Sequence, residues 1–257
     1  MKLPAASPSS TEFKNAEGST IPKQYALEAR KNPEVIKEMA ETPAEEVALE
    51  KEALSRQYCI LLDRSGSMAW DDPTTSTSRW ETAQRVVEKI VEKCFLYDCD
   101  HKVPVYLFDN KVDFVGECTD SAQVMSIFKE YKPRGTTDLA LGLDAVLNEY
   151  AGRQRPNYEV CPGLTVVVIL DGMADDKAAV REVMRKYSDP ANGFCSNHTQ
   201  IALSFVQVGN DKGATEFLRE LDEGVLGKPD ICDTKHASFL DQKDGGVDRL
   251  LRDSIFD

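Results

Sequence analysis

Asp63, Ser65 and Ser67 occupy alternate positions in the run Asp63-Arg64-Ser65-Gly66-Ser67-Met68. Oxygen donors this close together, with no histidine or cysteine among them, suit a hard divalent cation. Mg²⁺ is the first expectation, and Mn²⁺ or Ca²⁺ would accept the same donors. Serine and glycine also build ordinary turns, so the motif gains weight only if other stretches bring oxygen to the same place. Two candidates do. Gly135-Thr136-Thr137-Asp138-Leu139 is a glycine-containing loop leading into a helical pattern, and Ile169-Leu170-Asp171-Gly172 ends an apolar run on an aspartate.

The elements around these stretches are what must bring them together. Residues 58–62 (Tyr-Cys-Ile-Leu-Leu) and 164–170 (Leu-Thr-Val-Val-Val-Ile-Leu) are nearly unbroken apolar runs. That is the pattern of strands buried on both faces of a parallel sheet. Helical periodicity is expected over 79–97, with Ala83, Val86, Val87, Ile90, Val91 and Phe95 on one face,. Further helices are expected over 121–130, 138–150, 176–187, 211–223 and 247–256. Strands are expected over 103–108, 112–115 and 201–208, with a short one near 231–232. Asp109-Asn110-Lys111 reads as a hairpin turn,. Alternating apolar strands and amphipathic helices predict a doubly wound α/β domain, its mainly parallel sheet flanked by helices. In such sheets ligands bind beyond the carboxyl ends of the strands, where the strand order reverses. Asp63 and Asp171 each lie just past the end of a central strand, so the fold and the donors point to one edge.

Composition narrows the function. The chain has 257 residues, 31 basic against 44 acidic, and a net charge of −13. That balance argues against a nucleic-acid binder, which needs a basic face. It favours partners that are basic or reached through a bridging cation. No stretch is long and apolar enough to span a membrane. The seven cysteines form no C-x-x-C pair, which supports neither a zinc site nor a redox centre. Several lie in apolar runs and read as small hydrophobes. With no apolar signal core after Lys2 and Leu3, a cytoplasmic location is expected, and the Asn197-His198-Thr199 sequon is read as incidental. An enzyme is not expected. His101, His198 and His236 sit in no nucleophile motif, no phosphate-binding glycine loop occurs, and a metal hydrolase would want more carboxylates or histidines,.

Residues 1–56 form a separate N-terminal extension. The first part, rich in Ser, Ala and Pro, is expected to lack order. Asn32-Pro33-Glu34 and Thr42-Pro43-Ala44-Glu45 then signal two short, largely polar helices,. Residues 57–257 make the main domain. Between the first motif and its helix, the polar loop 70–78 hangs beside the site. Its Asp71 and Asp72 would repel an incoming carboxylate or serve a second cation, unless the loop is simply solvated with Trp80 anchoring the helix start. Asp175 and Asp176 are read as helix caps.

The three motifs together resemble the metal-ion-dependent adhesion site of von Willebrand factor type A (vWA) domains, in their order and on the same kinds of element. Over 57–257 the chain is most similar to stand-alone intracellular microbial vWA proteins, including those found near tellurium-resistance genes. Phe205-Val206-Gln207-Val208-Gly209-Asn210 and Phe217-Leu218-Arg219-Glu220-Leu221-Asp222 add to that likeness. The resemblance implies a Rossmann-like fold and a complete site. Ser65, Ser67 and Thr137 would be hydroxyl ligands, and Asp63 and Asp171 charged ligands or water anchors. Spacing to Gly142-Leu143 favours Thr137, with Thr136 as the alternative. It also implies a function. Members take an Asp or Glu carboxylate of a partner protein into the open metal position, so a metal-dependent interaction module, an adaptor or assembly factor, is expected. The alternative is a structural subunit of a larger complex whose site is permanently occupied or inactive.

Overall fold

The computed structural model describes residues 55–72, 76–154, 161–172, 174–195, 199–223, 231–242 and 246–256. The helices expected before residue 55 and the Asn197-His198 part of the sequon lie outside them.

Strand β1 (Gln57–Asp63) is the pivot of the sheet. It pairs in parallel with β2 (Val103–Phe108) on one side and with β4 (Leu164–Leu170) on the other. Beyond β2, β3 (Val112–Cys118) returns antiparallel, and beyond β4 come β5 (Ile201–Gln207) and β6 (Cys232–His236), both parallel. The order is β3-β2-β1-β4-β5-β6, so the direction of winding reverses between β1 and β4. The sheet is thus mixed but mainly parallel, as the strand patterns require.

Side chains alternate faces along each strand. Ile60 and Leu62 face one layer with Val105, Leu107, Val167 and Ile169. There they meet α1 (Arg79–Tyr97), α2 (Ser121–Glu130) and α6 (Gly246–Phe256). Cys59 and Leu61 face the other with Val166, Val168, Leu203 and Phe205, against α3 (Leu139–Gln154), α4 (Lys177–Ser188) and α5 (Lys212–Asp222). Covering both faces is what allows β4 to be apolar throughout,.

The expected elements are present, with shifted ends. Strand β3 runs three residues past the expected end at 115, and α3 extends to Gln154 instead of stopping at 150. Strand β6 begins where a two-residue strand was expected and continues to His236. Its outer half is polar, so apolar pattern alone could not reveal a pairing made by backbone. Arg56, assigned by sequence to the extension, belongs to the sheet domain. It is buried, and its guanidinium donates to the carbonyls of Leu164, Thr199 and Gln200.

Candidate functional site

Parallel pairing carries the ends of β1, β2, β4 and β5 to one edge of the sheet. Asp63 ends β1, Asp109 follows β2 and Asp171 follows β4. All three carboxylates are buried.

The first motif folds back on its own aspartate. Ser65 N–H donates to Asp63 Oδ1 at 2.7 Å, and a 3₁₀ turn over Gly66–Ala69 follows. This turn lines up the two hydroxyls. Ser65 Oγ lies 3.0 Å from Ser67 Oγ, and Ser67 Oγ donates to Asp171 Oδ1 at 3.0 Å. The structure therefore brings four predicted residues, Asp63, Ser65, Ser67 and Asp171, into one connected oxygen cluster.

The second motif is stitched to both of its neighbours. Gly66 N–H donates to the Gly135 carbonyl at 3.1 Å, and Arg134 N–H to the Arg64 carbonyl at 2.7 Å. Gly135 has φ +75°, and a Cβ there would lie 2.8 Å from Asn110 Oδ1, so this close approach requires glycine,. The backbone of Thr137 is bonded twice to Asp175. Its N–H donates to Asp175 Oδ2, and its carbonyl accepts from Asp175 N–H, both at 3.0 Å. Thr137 is buried and Thr136 exposed.

Asp175 thus joins the second loop to the third, and only Asp176 acts as the cap of α4. The loop after the first motif also departs from expectation, because Asp72 is buried and accepts from Asn210 Nδ2 at 2.9 Å. It braces the loop after β5, where it was expected to stand open to solvent or to a second cation. Trp80 does anchor the helix start, packed 4.9 Å from Phe128. Trp70, by contrast, is 64 % exposed at the rim.

Burial, followed by the nearby charge of Asp171, pushes the Asp63 carboxyl up to about 7. Burial likewise raises Asp171, partly offset by Arg79. Asp63 Oδ2 is buried with no hydrogen-bond partner among the described residues. A buried carboxylate oxygen without a donor is costly, and a cation among hydroxyl and carboxylate oxygens would satisfy it. The donors fit a hard divalent ion. Among the described residues no group of three or more His, Cys, Asp or Glu is gathered that could hold a metal, so any such site must rely on hydroxyls.

Two arginines were not anticipated. Arg64, between the first ligand candidates, is buried and holds Asp109 at 2.7 Å and Asp113 at 2.7 Å, with Tyr131 packed against it. Arg79, the first residue of α1, donates from Nη1 to Asp171 Oδ2 at 2.8 Å. A sequence signal for Arg79 existed. A cation at a helix N-terminus opposes the helix dipole, so an arginine there calls for an acidic partner.

Comparison with known proteins finds a family likeness at this edge. Residues 58–174 match the family model described as "von Willebrand factor type A domain". No curated protein matches the chain. Among solved structures, the PilB minor pilin from Streptococcus sanguinis is similar at 11% identity and a TM-score of 0.50, covering 77% of this chain and 60% of that one. Manganese-loaded Plasmodium vivax TRAP protein is similar at 17% identity and a TM-score of 0.48, covering 72% and 70%. An aerotolerance-related membrane protein from Bacteroides fragilis NCTC 9343 is similar at 24% identity and a TM-score of 0.42, covering 61% and 69%. At such identities the likeness concerns the fold alone. In this chain, no helix among the described residues is long and apolar enough to cross a membrane. The family match spans all three motifs, from β1 to the residues just after Asp171.

Proposed function

We propose that this protein is a metal-dependent interaction module. A divalent cation, Mg²⁺ first and Mn²⁺ or Ca²⁺ as substitutes, would be held by Asp63, Ser65, Ser67, Thr137 and Asp171, and would capture an Asp or Glu carboxylate of a partner protein. The observation that carries this reading is the buried Asp63 Oδ2, without a hydrogen-bond partner among the described residues, in a cluster with two hydroxyls in contact. Two carboxylates only just balance a divalent charge and neutral hydroxyls add none, so the bound ion, with a position left open, can still accept a further anion. Ser67 is only half-buried, which leaves an approach to the cluster. Thr137 is preferred to Thr136 because it is the buried one. No catalytic role is assigned, since two aspartates among hydroxyls grip an anion better than they activate water.

A structural-subunit role is the second reading, and one contact favours it. Arg79 already neutralises Asp171 without any cation, so that aspartate needs no metal to offset its charge.

The test has two stages. Mn²⁺ should raise the melting temperature of the wild type, as a ligand of the native state does by mass action. Asp63→Ala should abolish that rise, and Ser65→Ala should only reduce it, because water can replace a hydroxyl. Pull-downs from native extract are then run with Mg²⁺ and with EDTA. Partners that are lost in EDTA and lost again with Asp63→Ala support the carboxylate bridge. Partners recovered equally in all lanes leave the structural-subunit reading in its place.

A further inference from the structure

Arg79 occupies a prepared seat. Its guanidinium bonds Asp171 Oδ2 at 2.8 Å and lies 5.6 Å from the ring centroid of Trp70. On another side stands the loop after β5. A Cβ added at Gly209, which has φ +78°, would meet Arg79 Nε at 2.9 Å. That loop is fixed in turn, since the Gly209 carbonyl is bonded to His236 Nε2 at 3.0 Å. Arg79 Nε is buried and has no hydrogen-bond partner among the described residues. The guanidinium is therefore held by packing and by one carboxylate, with little else to keep it there. Asp171 meanwhile has both oxygens engaged, Oδ1 by Ser67 and Oδ2 by Arg79.

We propose that Arg79 is a resident counter-charge on Asp171, one that weakens cation binding and sharpens the site's selectivity for a single carboxylate. This deepens the metal-dependent reading above and rests on it. An incoming divalent ion must share Asp171 with a fixed positive charge, so its affinity is lowered. Once it is bound, the groups touching the cluster are two carboxylates, one guanidinium and one divalent ion. They leave a single positive charge, which one partner carboxylate neutralises. Without the arginine the loaded edge would already be neutral and would have less need of an anion. The two effects have opposite signs, which separates them from a merely structural role.

Mn²⁺ titrated calorimetrically into the full chain is the direct measurement. Arg79→Gln should bind Mn²⁺ roughly tenfold tighter or more, given the strength of charge interactions at such distances. Arg79→Lys, which keeps the charge, should stay near the wild type. Acetate serves as the carboxylate probe, followed by the loss of Mn²⁺-bound water in proton relaxation. It should bind more weakly to Mn²⁺-loaded Arg79→Gln than to the loaded wild type. If Arg79→Gln does not fold, Gly209→Ala replaces it, because the added methyl pushes the guanidinium off Asp171, and tighter Mn²⁺ binding is again expected. Unchanged or weaker Mn²⁺ binding by the variant, alongside a wild type that binds, overturns the counter-charge and spares the metal site. Mn²⁺ binding by neither protein overturns both.

Discussion

Asp63 and Asp171 are buried at the same sheet edge, where the charge of Asp171 raises the cost of charging Asp63. The folded-state carboxyl of Asp63 sits at about 7 against an ordinary 3.8, chiefly through burial. Between those values the folded chain holds a proton that the unfolded chain has released. Stability of the metal-free protein is then full at the acidic end, falls as pH rises through this window, and is flat above it. Asp171 is raised too and adds to the same slope. The expected loss between pH 4 and pH 7 is on the order of a few kcal/mol. Asp63→Asn, which cannot ionise, should flatten most of the slope and make the metal-free protein more stable at pH 8. Urea unfolding in EDTA at several pH values measures it, and stability rising with pH across that range would contradict the buried-pair account. A cation reverses the trend, because it competes with the proton and binds better as pH rises.

Loops carry this site, and their placement depends on a charged network beneath them. Arg64 reaches from the end of β1 to Asp109 after β2 and to Asp113 on β3, while Arg134 adds a second contact to Asp109 at 3.2 Å. The network fastens the first motif to the hairpin and the second motif to both. Arg64→Ala would leave buried Asp109 with an exposed arginine as its remaining counter-charge, and breaking a buried pair in this way costs about 3 kcal/mol or more. A denaturant melt showing a change below about 0.5 kcal/mol, the usual effect of an ordinary surface position, would remove that role. At this scale the sequence was informative where pattern is local. The span of α1 could be read from its apolar stripe, while the capping box of Ser78 with Glu81 at its start emerged only in the structure. Asp63 and Asp171 could be placed at one edge because both follow apolar parallel strands. The lateral ties were not legible. Arg64, Asp72 and Asp175 find partners 38 or more positions away, and a single sequence holds no periodicity that links such distant residues.

Across the domain, three loops far apart in sequence meet at one edge while the core stays bound by two apolar layers. An ion held by Asp63, Ser65, Ser67, Thr137 and Asp171 would bridge all three loops at once. Loop openings are local and lie well below the global unfolding energy, so a ligand that spans the loops should suppress their opening together. At a cation concentration about a hundredfold above Kd, the native state gains about 2.7 kcal/mol. Hydrogen exchange should then show protection in peptides covering 63–70, 133–138 and 171–176 when Mn²⁺ is added. Peptides from the opposite edge, such as the turn 98–102 before β2, should be unchanged, because no ligand candidate reaches them. Asp63→Ala should lose the protection in all three loops, including the two it does not belong to, since the bridge fails as a unit. Protection confined to 63–70 would mean that any bound cation is held by the first motif alone, and the ligand roles given to Thr137 and Asp171 would fall.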